Sequence, residues 1–179
     1  MTVRSTLVTG GVRSGKSAYA ESLLQHQQSV TYVAPGPIPD PVADPDWAER
    51  VALHQARRPA HWSTVETIDV AAAVRAADGA VLVDCLGTWV TALMDDLRGW
   101  DRPAADWRDE FDHRVQELTQ AWVGASGPLV AVTNEVGMGI LPEHRSGRLF
   151  RDLLGTVNQG IAAVSDDVLL VVAGRVLRL

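Results

Sequence analysis

Gly10 to Ser17 reads Gly-Gly-Val-Arg-Ser-Gly-Lys-Ser, which fits G-x-x-x-x-G-K-[ST]. The spacing has a chemical reason. Glycines let the backbone curl until successive N–H groups of Gly10, Gly11, Val12, Arg13, Ser14 and Gly15 face phosphate oxygens. Lys16 adds a point charge that reaches the β- and γ-phosphates. The Ser17 hydroxyl can join a Mg²⁺ shell. A second chemical group is an acid at the end of an apolar run, Ala80-Val81-Leu82-Val83-Asp84. Beside a phosphate loop, a carboxylate at a strand's C-terminal edge is placed to face the same metal, so Asp84 and Ser17 are the expected metal shell. The third is a histidine, His54, followed closely by Arg57 and Arg58. A neutral imidazole can attack phosphorus, and arginines can take the charge of a leaving phosphate. From its local sequence alone, His54 reads more readily as a structural histidine, as a lone histidine usually is.

These groups need a frame. Thr6-Leu7-Val8-Thr9 is a short β-rich run before the loop, and Ala18 to Leu24 follows it with helix formers and helical spacing. A helix there aims its N-terminal dipole at the bound anion. A second strand is expected over Val30–Ala34. The prolines at 35, 37, 39 and 41 then rule out regular structure and predict an exposed, mobile connection at the nucleotide end of the sheet. Asp46 is the expected cap of a helix through Trp47–His54 that ends before Arg57-Arg58-Pro59. Further strands are expected at 62–66, 80–84, 128–133 and 167–174, with 175–179 as an edge hairpin. Helices are expected at 69–77, 86–97, 104–123 and 146–163. In the third of these, Trp107, Phe111, Val115, Leu118 and Trp122 form one apolar stripe. Strands alternating with helices predict an α/β fold with a largely parallel sheet. The turn Asn134-Glu135-Val136-Gly137-Met138-Gly139 falls at a strand's C-terminal end, where such sheets bind ligands.

Composition narrows the classes. A chain of 179 residues with 46% hydrophobic and 21% charged residues suits one soluble domain spanning 1–179. The formal net charge of −6 argues against nucleic acid as a partner, since such proteins carry a basic surface. Cys85 is the single cysteine, so no intrachain disulfide can form, which fits a reducing cytoplasm. Met1-Thr2-Val3-Arg4 lacks the apolar core of a signal peptide. No run approaches the roughly 20 apolar residues of a membrane span. A cytoplasmic protein is expected.

Four segments together resemble one family in the right order over nearly the whole chain. They are Thr9–Ser17, Arg58-Pro59-Ala60-His61-Trp62, Thr133–Gly139 and Phe150-Arg151-Asp152-Leu153-Leu154-Gly155-Thr156-Val157-Asn158-Gln159. The chain is similar to the bifunctional adenosylcobinamide kinases/adenosylcobinamide-phosphate guanylyltransferases of cobalamin biosynthesis. The phosphate loop is generic; the Asn-Glu-Val-Gly-Met-Gly stretch is much more specific. The resemblance implies a three-layer RecA-like P-loop fold with a mostly parallel central sheet, and a homotrimer. It implies Mg²⁺ as cofactor, ATP and GTP as substrates, and adenosylcobinamide and its phosphate as acceptors. It implies a kinase step onto the aminopropanol hydroxyl, then guanylyl transfer through a GMP-histidine at the position of His54. Many relatives have paired histidines there; this chain has Leu53-His54. Ala34, Pro35 and Gly36, Arg57 and Arg58, and Glu66 are implied to line the nucleotide site with Asp84, Glu66 accepting from guanine N1–H and N2–H₂. Two other classes remain compatible with the residues: a small-molecule kinase without guanylyl transfer, and a RecA-type ATPase driving a partner. Among the other histidines, His26, His61 and His113 read as structural or solvated, and His144 as a loop residue on the acceptor side.

Overall fold

A computed structural model describes residues 5–179. The N-terminal reading at Met1–Arg4 lies outside the described residues. Seven strands form one sheet in the order β3-β2-β4-β5-β1-β6-β7. They are β1 (Ser5–Gly10), β2 (Val30–Ala34), β3 (Ser63–Glu66), β4 (Ala80–Asp84), β5 (Leu129–Val132), β6 (Asp167–Val172) and β7 (Arg175–Arg178). Every pairing is parallel except β6 with β7, which is the expected edge hairpin. The helices are α1 (Lys16–Leu24), α2 (Pro45–Arg57), α3 (Val70–Ala76), α4 (Leu86–Asp96), α5 (Arg108–Gly124) and α6 (Arg145–Ala163).

Strand residues alternate between two apolar layers, as period two demands. Leu7, Val81, Val83, Leu129 and Ala131 face a core closed by α3, α4, α5 and α6. Val8, Tyr32, Leu82, Val130 and Val132 face the opposite core, closed by Ala20 and Leu24 of α1 and by Trp62. Helices on both faces of a mostly parallel sheet are the expected three-layer arrangement. The two faces are covered unequally, and this matters for the site. α2 contains no buried residue. It is held by polar contacts rather than by a core.

Two helix starts differ from the sequence expectation. α2 begins at Pro45, not after Asp46: the Asp44 carboxylate accepts from Trp47 N–H at 2.9 Å. Proline at the first helical position loses no hydrogen bond, since that N–H has no intrahelical partner. Asp46 therefore lies in the first turn, and the helix runs on through Arg57. The expected helix from Ala104 is broken at Trp107, which follows a 3-10 turn over Ala104–Asp106. The Trp107 indole is buried and packs edge-on against Phe111, with ring centroids 6.2 Å apart. Seating that ring takes the backbone out of helical geometry for one residue.

Candidate active site

The phosphate loop joins β1 to α1, as its sequence requires. Gly15 has φ 95°, a conformation that strains any residue with a Cβ. A Cβ at Gly10 would collide with the Val171 carbonyl of β6, so the first glycine lets the loop pass its neighbouring strand. Lys16 is buried, and its ammonium donates to the Gly11 carbonyl at 3.1 Å, bracing the loop from within. Burial pushes the Lys16 ammonium below its ordinary value, partly opposed by the neighbouring Cys85 and Asp84. Among the described residues Ser14 Oγ, which is buried, has no hydrogen-bond partner, a donor that a phosphate oxygen would satisfy.

Asp84 ends β4, and its side chain is only 7% exposed. Tyr32, on the adjacent strand β2, donates its hydroxyl to Asp84 Oδ2 at 2.9 Å. His54 Nδ1 lies 3.5 Å from the same oxygen. Burial opposes ionisation of Asp84, but His54, Tyr32 and a hydrogen bond from Ser17 outweigh it and hold the carboxyl below the usual range. Burial and the Asp84 charge push the Tyr32 hydroxyl well above the ordinary tyrosine value. Ser17 and Asp84 are thus neighbours at the loop, an oxygen-rich pair of the kind that suits Mg²⁺. Glu21 joins them: Glu21, His54 and Asp84 bring one ligand atom each within 4.8 Å of one another. Glu21 is already engaged by Arg57, which donates to its two oxygens at 3.3 and 3.1 Å and so ties α2 to α1.

Two cavities meet at His54. One is a cleft of about 750 Å³ lined by Arg13, Ser14, Lys16 and Ser17 of the loop and by Arg50 and Arg57 of α2. The other is a pocket lined by Tyr32, Ala34, Gly36, Trp47, Arg58 and Glu66. His54 and Arg50 line both. Arg58 stacks over the Tyr32 ring at 3.3 Å and donates to Thr64 Oγ1 at 3.2 Å, which fixes one wall. Trp47 donates its indole N–H to the Pro37 carbonyl at 3.0 Å, so the proline-rich connection is pinned to α2 rather than free along its whole length.

Most of the expected residues therefore converge. Four line neither cavity, Val12 among them: Gly10 and Gly11 shape the loop, and Pro35 is buried. Val12 points outward and is largely exposed. Asn134 and Glu135 root the following loop beside Gly10, whereas His144 and Arg145 lie at the start of α6, where Arg145 donates to the carbonyls of Trp100 and Arg102. Sequence reasoning missed Arg50, Tyr32, Trp47 and Glu21. Arg50 had a signal, since it lies four residues before His54 on one helix face. Tyr32 had none, because a tyrosine in an apolar strand reads as core.

Comparison with known proteins shows the family. The sequence profile of the family described as cobinamide kinase / cobinamide phosphate guanyltransferase matches residues 6–179. The chain belongs to that family. It is 43% identical over 178 residues to the bifunctional adenosylcobalamin biosynthesis protein CobU of Salmonella typhimurium, covering 94% of this chain and 95% of the relative. It is 34% identical over 173 residues to the bifunctional adenosylcobalamin biosynthesis protein CobP of Pseudomonas aeruginosa, covering 94% and 92%. Among solved structures, a type III secretion system ATPase superposes with TM-score 0.57 at 10% identity, over 94% of this chain and 51% of the ATPase. A Pyrococcus horikoshii OT3 protein superposes with TM-score 0.52 at 8% identity, over 99% of this chain and 87% of its own. At such identities the likeness concerns the fold alone, the RecA-like P-loop architecture of this family member.

Proposed function

We propose that this chain is a one-domain enzyme that phosphorylates the aminopropanol hydroxyl of adenosylcobinamide with ATP or GTP. It then transfers GMP from GTP to that phosphate through His54. The observation that carries the reading is that His54 lines both the phosphate cleft and the adjoining pocket. A nucleoside triphosphate laid across them, with its outer phosphates at Lys16 and its base towards Glu66, presents its α-phosphorus where the two meet.

In the kinase step, the acceptor hydroxyl oxygen bonds to the γ-phosphorus as the β–γ bridging P–O bond breaks and the nucleoside diphosphate leaves. Lys16 and the loop N–H groups hold the transferring and leaving oxygens. In the guanylyl step, Asp84 faces Nδ1 of His54 and holds the proton there, which leaves the Nε2 lone pair as nucleophile. An N–P bond forms at the α-phosphorus, the α–β bridging bond breaks, and pyrophosphate leaves with its charge facing Arg50 and Arg57. An oxygen of the cobinamide phosphate then displaces the imidazole, the N–P bond breaks, and His54 is regenerated. Ser17 and Asp84 are the residues that would hold Mg²⁺. Bound there, the ion would offset phosphate charge. Glu66 can pair with guanine N1–H and N2–H₂, a match adenine lacks. The homotrimer and the cytoplasmic setting of the family resemblance belong to the same reading; among the described residues no helix is long and apolar enough to cross a membrane.

The test uses GTP labelled at the α- or γ-phosphate. Acid-labile, alkali-stable α-label on the protein, absent in His54→Ala, is the expected result. No α-label on the wild-type chain under any condition overturns the transferase half.

A further inference from the structure

The loop after β5 carries features the nucleotide site does not use. It leaves the sheet beside the phosphate loop, where the Glu135 N–H donates to the Gly10 carbonyl at 3.2 Å. The Glu135 carboxylate then accepts from Gly137 N–H at 2.7 Å. Two arginines of α6 hold the rest. Arg151 donates to the carbonyls of Gly137, Gly139 and Ile140 at 2.6, 3.0 and 3.1 Å. Arg148 donates to the carbonyls of Pro142, at 3.0 Å, and Glu143. The backbone is thus tied down by cations, yet Met138, Ile140 and Leu141 point outward, 82%, 97% and 67% exposed. Solubility alone would favour polar side chains at such positions. An apolar row on a backbone braced this firmly is a preorganised contact surface.

We infer that this loop seats the corrinoid ring of the acceptor, an inference that rests on the kinase reading above. The acceptor is a broad macrocycle with apolar faces, joined by a short arm to the hydroxyl that must reach the γ-phosphorus. Its ring must therefore rest within an arm's length of the phosphate loop. The pocket towards β2 and β3 lies on one side of that loop and is taken by the nucleoside in the proposed pose. The β5 loop is rooted on Gly10 itself and offers apolar side chains at the same rim of the sheet. The competing occupant is a second copy of the chain.

The experiment measures cobinamide binding by equilibrium dialysis, read from the visible absorption of the corrinoid. It compares wild type with the double variant Met138→Ser/Ile140→Asp and with Arg151→Met, which frees the loop without touching its apolar residues. Both changes should raise Kd by about tenfold or more, the size expected when apolar contacts of this extent are lost. Labelling of His54 by α-labelled GTP and the molar mass in solution should stay as in wild type. Unchanged Kd in the double variant, with wild type binding, overturns the assignment of the loop alone. A fall in molar mass also overturns it, in favour of a contact between copies. A wild-type chain that binds no cobinamide overturns the kinase reading together with the loop.

Discussion

His54 Nδ1 lies 3.5 Å from Asp84 Oδ2, and the same oxygen accepts the Tyr32 hydroxyl at 2.9 Å. One carboxylate therefore faces both the expected metal position, through Ser17, and the proposed nucleophile. The two proposed reactions share that carboxylate but not the histidine.

Substitution separates them. His54→Ala should abolish α-labelling and leave γ-phosphoryl transfer to cobinamide within about twofold. Asp84→Asn should depress both, α-labelling by about 100-fold or more, because an amide neither holds the imidazole tautomer nor offsets charge on the metal. Parallel rates from α- and γ-labelled GTP make the comparison. Loss of γ-transfer in His54→Ala would show that the two reactions are not separable at this residue.

The lowered Asp84 carboxyl has a consequence for stability. A group whose folded pKa lies below its unfolded value stabilises the fold above the unfolded pKa, about 3.9 for aspartate. That contribution is lost as pH falls through the lower folded value. The Tm difference between wild type and Asp84→Asn should thus be constant near neutrality and shrink below about pH 4. Thermal melts across pH 2.5–7 check it; a difference that widens in acid would mean the pairing with His54 and Tyr32 does not hold the carboxylate ionised.

The Arg57–Glu21 pair has a job that its energy alone would not suggest. It fastens a helix with no buried residue, and Arg57 is well exposed, so its contribution to stability is at most about 1 kcal/mol. Arg57→Ala and Glu21→Gln should leave Tm nearly unchanged. Both should lower α-labelling more than γ-transfer, since only the former needs α2 seated over the cleft. Equal losses in the two transfers would remove α2 positioning as the explanation.

Lys16 is held in place against its own solvation. Its pKa is lowered chiefly by burial, so the protonated form weakens the folded state at neutral pH, and stability recovers as pH rises towards the unfolded lysine value. Lys16→Met should raise the Tm of the nucleotide-free protein by about 2 °C or more at pH 7 while abolishing both transfers. The gain should narrow towards pH 10. A lower Tm in Lys16→Met would show that its bond to the Gly11 carbonyl outweighs the burial cost.

Local chemistry is legible in the amino-acid sequence by itself. The phosphate loop needs only neighbours along the chain: a strand, glycines whose φ values permit the turn, a lysine and a helix. The same holds for β4 ending in Asp84, and for the hairpin through Ala173 and Gly174, both at positive φ. Even the start of α2 differs from the sequence expectation by only two residues, a shift decided by a proline at the first helical position. Tertiary structure decided the contacts that no spacing encodes. β2 and β4 are neighbours in the sheet although α2, β3 and α3 separate them in sequence, and only that adjacency gives Tyr32 its bond to Asp84. α2 lies across the mouth of the cleft because its polar face found Glu21 and Asp84, not because an apolar stripe seated it. His54 is one histidine among five in the sequence. Its place between the cleft beneath the Gly10–Ser17 loop and the pocket towards β2 and β3 follows from long-range packing, which brings α1, α2 and β4 to one point.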